Sequence, residues 1–218
     1  MKLKKILTLA CCAVLLVCIS VGATVAYLTS QATVTNTFTV GKVQISMDEA
    51  AIKKDETTGN WVEDNTKDRV VANSYNLLPG ISYAKDPTVT VKANSEDCYV
   101  RALVTITKAK ELDEIFADQN GANMAEIFGG LSTDWTCNSI TKDTGNNTRT
   151  YEMRYKEVVK KSSSDQVLDD IFEKVNVPSF ITNNDLAKID GMKIEVVAHA
   201  IQADGFADAD AAWAATAF

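Results

Sequence analysis

One histidine and three prolines stand among 218 residues, with no Cys-x-x-Cys pair, and each shortage removes a class of chemistry. A catalytic zinc site takes three protein ligands, often two or more of them imidazoles, and the helical His-Glu-x-x-His arrangement is absent. His199 therefore reads as a hydrogen-bonded histidine of an apolar strand, and no catalytic, cofactor or metal-binding residue is assigned. No Gly-x-Ser-x-Gly elbow is present, so Ser162-Ser163-Ser164 reads as a solvated turn. Basic clusters are scarce: beyond Lys5 the adjacent pairs are Lys53-Lys54 and Lys160-Lys161, each with acids nearby. Phosphate backbones demand Lys/Arg patches, so nucleic acid is set aside as a partner. No repeat or long low-complexity linker interrupts residues 27–218.

What is present begins with an export signal. Lys2, Lys4 and Lys5 precede an apolar run over residues 6–21, and Gly22-Ala23-Thr24-Val25-Ala26-Tyr27 supplies small residues at a cut. These are the three parts of a secretory signal peptide, with Thr24 and Ala26 in the two small positions and cleavage between Ala26 and Tyr27. The alternative is an uncleaved anchor, since residues 6–26 reach the roughly 20 apolar residues that span a bilayer. Thr8, Ser20, Gly22 and Thr24 dilute that run and favour cleavage. Lipidation is disfavoured, because Val17 before Cys18 is too large and Cys11 comes too early. The expected organisation is a signal peptide over 1–26 and one domain over 27–218. The chain then meets the membrane and a signal peptidase only during export, and ends secreted, outside the cell or at its surface. Losing the three lysines of the signal moves the formal charge from −7 to −10, an acidity that favours solubility.

Three of the five cysteines, Cys11, Cys12 and Cys18, leave with the signal. The remaining pair, Cys98 and Cys137, can form one bridge in an oxidising space. That bridge would close a loop of about 40 residues and contribute roughly 4 kcal/mol in the chain-entropy model. The alternative is two separate buried thiols that behave as small hydrophobes.

The periodicity is mostly that of strands. Val43, Ile45 and Met47 alternate with Lys42, Gln44 and Ser46, and Val89 and Val91 repeat the pattern after Asp86-Pro87. Over residues 99–107, Val100, Ala102, Val104 and Ile106 face one way, and a mostly polar set faces the other. Residues 133–140 and 149–158 flank a turn-rich Lys142–Asn147 stretch and predict a hairpin. Residues 172–177 and 193–202 are further strands. In the last, Ile194, Val196, Val197, Ala198, Ala200 and Ile201 are nearly continuous, which predicts a strand in the middle of a sheet and covered on both sides. Leu112, Ile115 and Phe116 carry helical spacing over 108–116, with Met124, Ile127 and Phe128 continuing it, and an alanine-rich helix is expected over 208–216. Many short strands with a few helical insertions predict an all-β, antiparallel β-sandwich.

The acidic groups Asp204, Asp208, Asp210 and Glu63, Asp64, Asp68 lack the spacing of a calcium-binding loop, and acids at a helix mouth serve as caps more often than as ligands. Asn146-Asn147-Thr148 is a formal glycosylation sequon. Trp61, Trp135 and Trp213 read as core or sheet-face residues, since a sugar platform would need them on one exposed face.

Residues 27–40 differ from the rest. Leu28, Thr33, Val34, Thr37, Phe38 and Val40 lie in a stretch of strong strand character with no charged side chain. A β-branched, uncharged segment at a free terminus can add to another molecule's sheet edge, whereas the plainer reading is a first strand that pairs within its own domain. The junction Ala23-Thr24-Val25-Ala26-Tyr27-Leu28-Thr29, followed by Asn36-Thr37-Phe38-Thr39-Val40-Gly41-Lys42-Val43, resembles exported Gram-positive proteins cut by the SipW-type signal peptidase. Pro79-Gly80, Lys85-Asp86-Pro87, Tyr99-Val100-Arg101 and the tail Ala200-Ile201-Gln202-Ala203-Asp204-Gly205-Phe206 with Ala212-Trp213 resemble the TasA/camelysin family over nearly the whole chain. The resemblance implies a jelly-roll-like β-sandwich, secretion, and self-association into biofilm-matrix fibres in which the mature N-terminal strand completes a neighbour's sheet. It also raises a secreted camelysin-type metallopeptidase, from which this chain departs in having one histidine and no recognisable zinc cage. A third expectation is a soluble cell-surface adhesin.

Overall fold

The computed structural model describes residues 41–117 and 127–216. Strict alternation builds its longest strand, β6 (Cys98–Thr107), in which every second residue is buried. Val100, Ala102, Val104 and Ile106 are almost wholly inaccessible, as the sequence pattern predicts. The expected hairpin forms beside it from β8 (Trp135–Asp143) and β9 (Thr148–Tyr155), and β12 (Ile194–Gln202) pairs on the opposite side, giving the order β12-β6-β9-β8.

Two smaller sheets complete the body. One joins β1 (Ile45–Asp48), β5 (Thr88–Val91) and β10 (Gln166–Val167) in the order β1-β5-β10. The other runs β2-β3-β4-β11-β7, from β2 (Ile52–Lys54), β3 (Trp61–Glu63), β4 (Ser82–Ala84), β11 (Lys174–Asn176) and β7 (Phe128–Gly129). Pairing is antiparallel apart from one parallel contact, Trp61 with Tyr83. Val89 and Val91 of β5, Tyr83 of β4, Val175 of β11 and Phe128 of β7 meet the inner face of the four-stranded sheet in one buried cluster. Phe128 stands edge-on to Tyr151 at 6.1 Å and tilted against Phe172 at 4.5 Å, so aromatic contacts bridge the layers. The molecule is all-β and sandwich-like with short helical insertions, as expected.

The helices are local events with visible causes. In α1 (Ala109–Ala117), Leu112, Ile115 and Phe116 face the core. Its start is fixed from the hairpin turn: Asn147, at φ 55°, accepts the Ala109 N–H on its carbonyl (3.2 Å) and the Lys110 N–H on Oδ1 (2.8 Å). Asparagine tolerates that left-handed conformation. In α2 (Asn183–Lys188), a capping box joins Thr182 and Asp185; the Thr-Asn-Asn-Asp signal is in the sequence, but no helix was expected there. In α3 (Ala209–Ala214), Asp208 accepts the Ala211 N–H at 2.8 Å, which bears out the capping reading for Asp208.

Three expectations are corrected. Phe128 does not extend a helix: it sits in β7, because its ring fills the core between Tyr151 and Phe172. Met124 lies outside the described residues. Among the described strands β12 stands at the edge of its sheet rather than at the centre, with β6 as its sole partner there. Its apolar run reflects cover on its faces. Ile194, Val196, Ala198 and Ala200 lie on the core, while Ile201 on the other face packs with Ala212 and Trp213 of α3. Cys98 and Cys137 are free thiols, the first buried and the second exposed. They stand two strands apart in the sheet and four residues out of step through Ala102↔Met153↔Cys137. That offset is about 10 Å across and 13 Å along, beyond the ~7 Å that a bridge allows.

A buried polar network fastens the long connection between β3 and β4. Lys85 (9% exposed) forms an ion pair with Glu49 (4% exposed), and Asn73 Nδ2 donates to Glu49 Oε1 and to the Ala50 carbonyl, both at 2.9 Å. Asp86 accepts the Ala50 N–H at 2.7 Å and the Arg69 guanidinium at 2.7 Å. Buried charges are tolerated when paired and hydrogen-bonded in this way. Gly80, at φ +76°, turns the chain into β4 and donates its N–H to Val177 at 2.8 Å.

Candidate functional site

The register of β12 on β6 runs without a break from Ile194↔Ile106 to Gln202↔Cys98. Just beyond its two ends, Thr107 N–H donates to Lys193 and Ala203 N–H to Asp97. In an antiparallel pair hydrogen-bonded positions alternate, so the odd-numbered residues of β12 exchange bonds with β6. The N–H and C=O groups of Ile194, Val196, Ala198, Ala200 and Gln202 therefore point out of the sheet. No described strand takes them. This edge is long and regular, and Glu195 is its one acidic or basic residue besides His199.

The opposite edge of the same sheet is built differently. The β8–β9 register slips between Cys137 and Ser139, and β8 ends in Lys142 and Asp143, both exposed. Bulges and charges are the usual means by which an edge is kept from pairing. Of these two edges among the described strands, β12 offers the straight ladder.

His199 lies on the outer face of that strand. Arg101 Nε donates to its Nδ1 at 3.4 Å, and the guanidinium stacks over the Trp213 ring at 4.4 Å. Burial, and then the positive charge of Arg101, hold the imidazole below its ordinary pKa. Arg154 joins the same face to α3 through Glu152 (2.6 Å) and Asp210. The cluster docks a helix on a sheet. Among the described residues, no group of three or more His, Cys, Asp or Glu side chains is placed to hold a metal ion, and no helix is long and apolar enough to cross a membrane.

The other sequence candidates disperse. Asp64 is tied to Thr66 and Lys53, and the Thr66 hydroxyl bond brings its carboxyl down to about 2. The three tryptophans do not share a face. Trp61 lines a cleft, buried Trp135 donates its indole N–H to the Asp169 carbonyl at 2.8 Å, and Trp213, a residue of α3, packs with Ile201 on the outer face of β12. Ser162 and Ser164 form an exposed turn. Asn146 is exposed at the hairpin tip, where its side-chain amide donates to Asp143 at 2.7 Å. The cleavage pair Ala26 and Tyr27, and the segment residues Leu28, Thr33, Val34, Thr37, Phe38 and Val40, lie outside the described residues.

Trp61's cleft has a volume of about 930 Å³ and is rich in carboxylates, with Asp48, Asp86 and Asp170 among its walls. Arg69 neutralises the first two, and burial raises the Asp170 carboxyl above its usual range. The sequence singles out Trp61, Glu63 and Lys85-Asp86 but neither the cleft nor the Glu49–Lys85–Asn73 network, because the partners come from separate short segments whose approach no spacing encodes. Comparison with family models, curated proteins and solved structures finds no match for the chain.

Proposed function

We propose that the protein is an exported structural protein that associates with copies of itself by strand addition, as a building block of an extracellular or biofilm-matrix fibre. In this reading the signal is removed between Ala26 and Tyr27, and residues 27–40 of one copy lie along the β12 edge of another. The observation that carries it is the ladder of Ile194, Val196, Ala198, Ala200 and Gln202, which no described strand takes, in a sheet whose other edge is bulged and charged. Main-chain bonds supply affinity in such an addition, and alternate side chains set register. The donor is uncharged, which suits an acceptor strand lined by Val196, Ala198 and Ala200. The resemblance to the TasA/camelysin family, with its jelly-roll-like topology and matrix fibres, supports the same reading.

Deleting residues 27–40 from the mature protein is expected to leave a folded species that stays monomeric on sizing and forms no filaments under the electron microscope. Normal filaments from that variant would reject strand donation.

A further inference from the structure

Glu49 holds two different nitrogens on one carboxylate. Lys85 Nζ lies against Oε2, and Asn73 Nδ2 donates to Oε1 at 2.9 Å. The amide orientation of Asn73 is fixed, since the same Nδ2 also donates to the Ala50 carbonyl at 2.9 Å and only an NH2 group can face two acceptors. Water has little access, because Glu49 and Lys85 are both buried. The Tyr75 hydroxyl lies beside Asn73, and the Tyr75 ring meets Tyr83 edge-on at 5.7 Å. An ion pair alone would need Lys85 and Glu49. Placing a primary carboxamide on the second carboxylate oxygen adds what an acyl transfer requires: an amine, an electrophilic carbon, and one acid–base group touching both nucleophile and leaving group.

We propose that Lys85 and Asn73 are joined by an intramolecular isopeptide bond, with Glu49 as the proton carrier. Glu49 takes a proton from the Lys85 ammonium, and the freed Nζ lone pair attacks Asn73 Cγ. The tetrahedral intermediate collapses as the Cγ–Nδ2 bond breaks. Two protons leave Nζ in all, and the same number pass to the departing nitrogen, which exits as ammonium. One C–N bond forms and one breaks; a primary amide and an amine become a secondary amide, and no oxidant, metal or co-substrate is consumed. The product ties the connection that contains Pro79-Gly80 into a covalent ring held against β1 and β4. This inference stands apart from the assembly reading.

Mass spectrometry of the full chain as purified tests it without any substitution. The expected intact mass lies about 17 Da below that of the unmodified polypeptide with the same N-terminus, the loss of one ammonia. Tryptic digestion should yield a branched peptide containing both Asn73 and Lys85. Asn73→Ala and Glu49→Gln are each expected to restore the full mass. An unmodified mass with linear Lys85 peptides in the wild type would overturn the proposal, as would a deficit that persists in either variant. Should a variant fail to fold, the wild-type peptide map decides alone.

Discussion

Single side chains decide more of this fold than their types announce. Phe128 carries no strand signal and sits at the end of a helical pattern, yet its ring closes the layers by touching Tyr151 and Phe172. Phe128→Ala should cost about 3–5 kcal/mol, the usual range for emptying a buried aromatic site, and chemical denaturation will measure it. A cost under about 1 kcal/mol would mean the layers are not joined there. Other residues were legible from pattern alone: Val100, Ala102, Val104 and Ile106 alternate with polar neighbours and are buried accordingly. Glu49, Lys85 and Asn73 were not, because a polar residue's burial depends on a partner that the local sequence does not name.

At the scale of elements, strand type was readable and strand position was not. The hairpin of β8 and β9 follows from two runs flanking the turn-rich stretch 142–147, which is a local signal. The sequence of β12 predicts a central strand because it is apolar on both faces. Facial cover and edge pairing are independent, however: α3 covers part of the outer face while no described strand takes the edge. The short strands β2, β3 and β4 had no period long enough to detect. Proline separates the two sides of β12, since it removes one N–H and is tolerated where that N–H points away from the sheet. Ala198→Pro should leave a folded monomer that no longer assembles. Val197→Pro removes a bond to β6 and should destabilise the fold by about 1–3 kcal/mol. If Ala198→Pro assembles as the wild type does, another surface carries the association.

For the whole molecule, the proposed assembly has a mature chain with a formal charge of −10 associating against its own charge, so in that reading short-range main-chain bonding is a better source of cohesion than complementary charge. An uncharged donor and a nearly uncharged acceptor strand meet that condition. The most direct measurement is residue-resolved amide hydrogen exchange on the mature protein as monomer and after assembly. The N–H groups of Ile194, Val196, Ala198, Ala200 and Gln202 should exchange quickly in the monomer and become protected in the assembly, with the odd-numbered residues between them protected throughout. Filaments in which those five amides still exchange at the monomer rate would contradict the account.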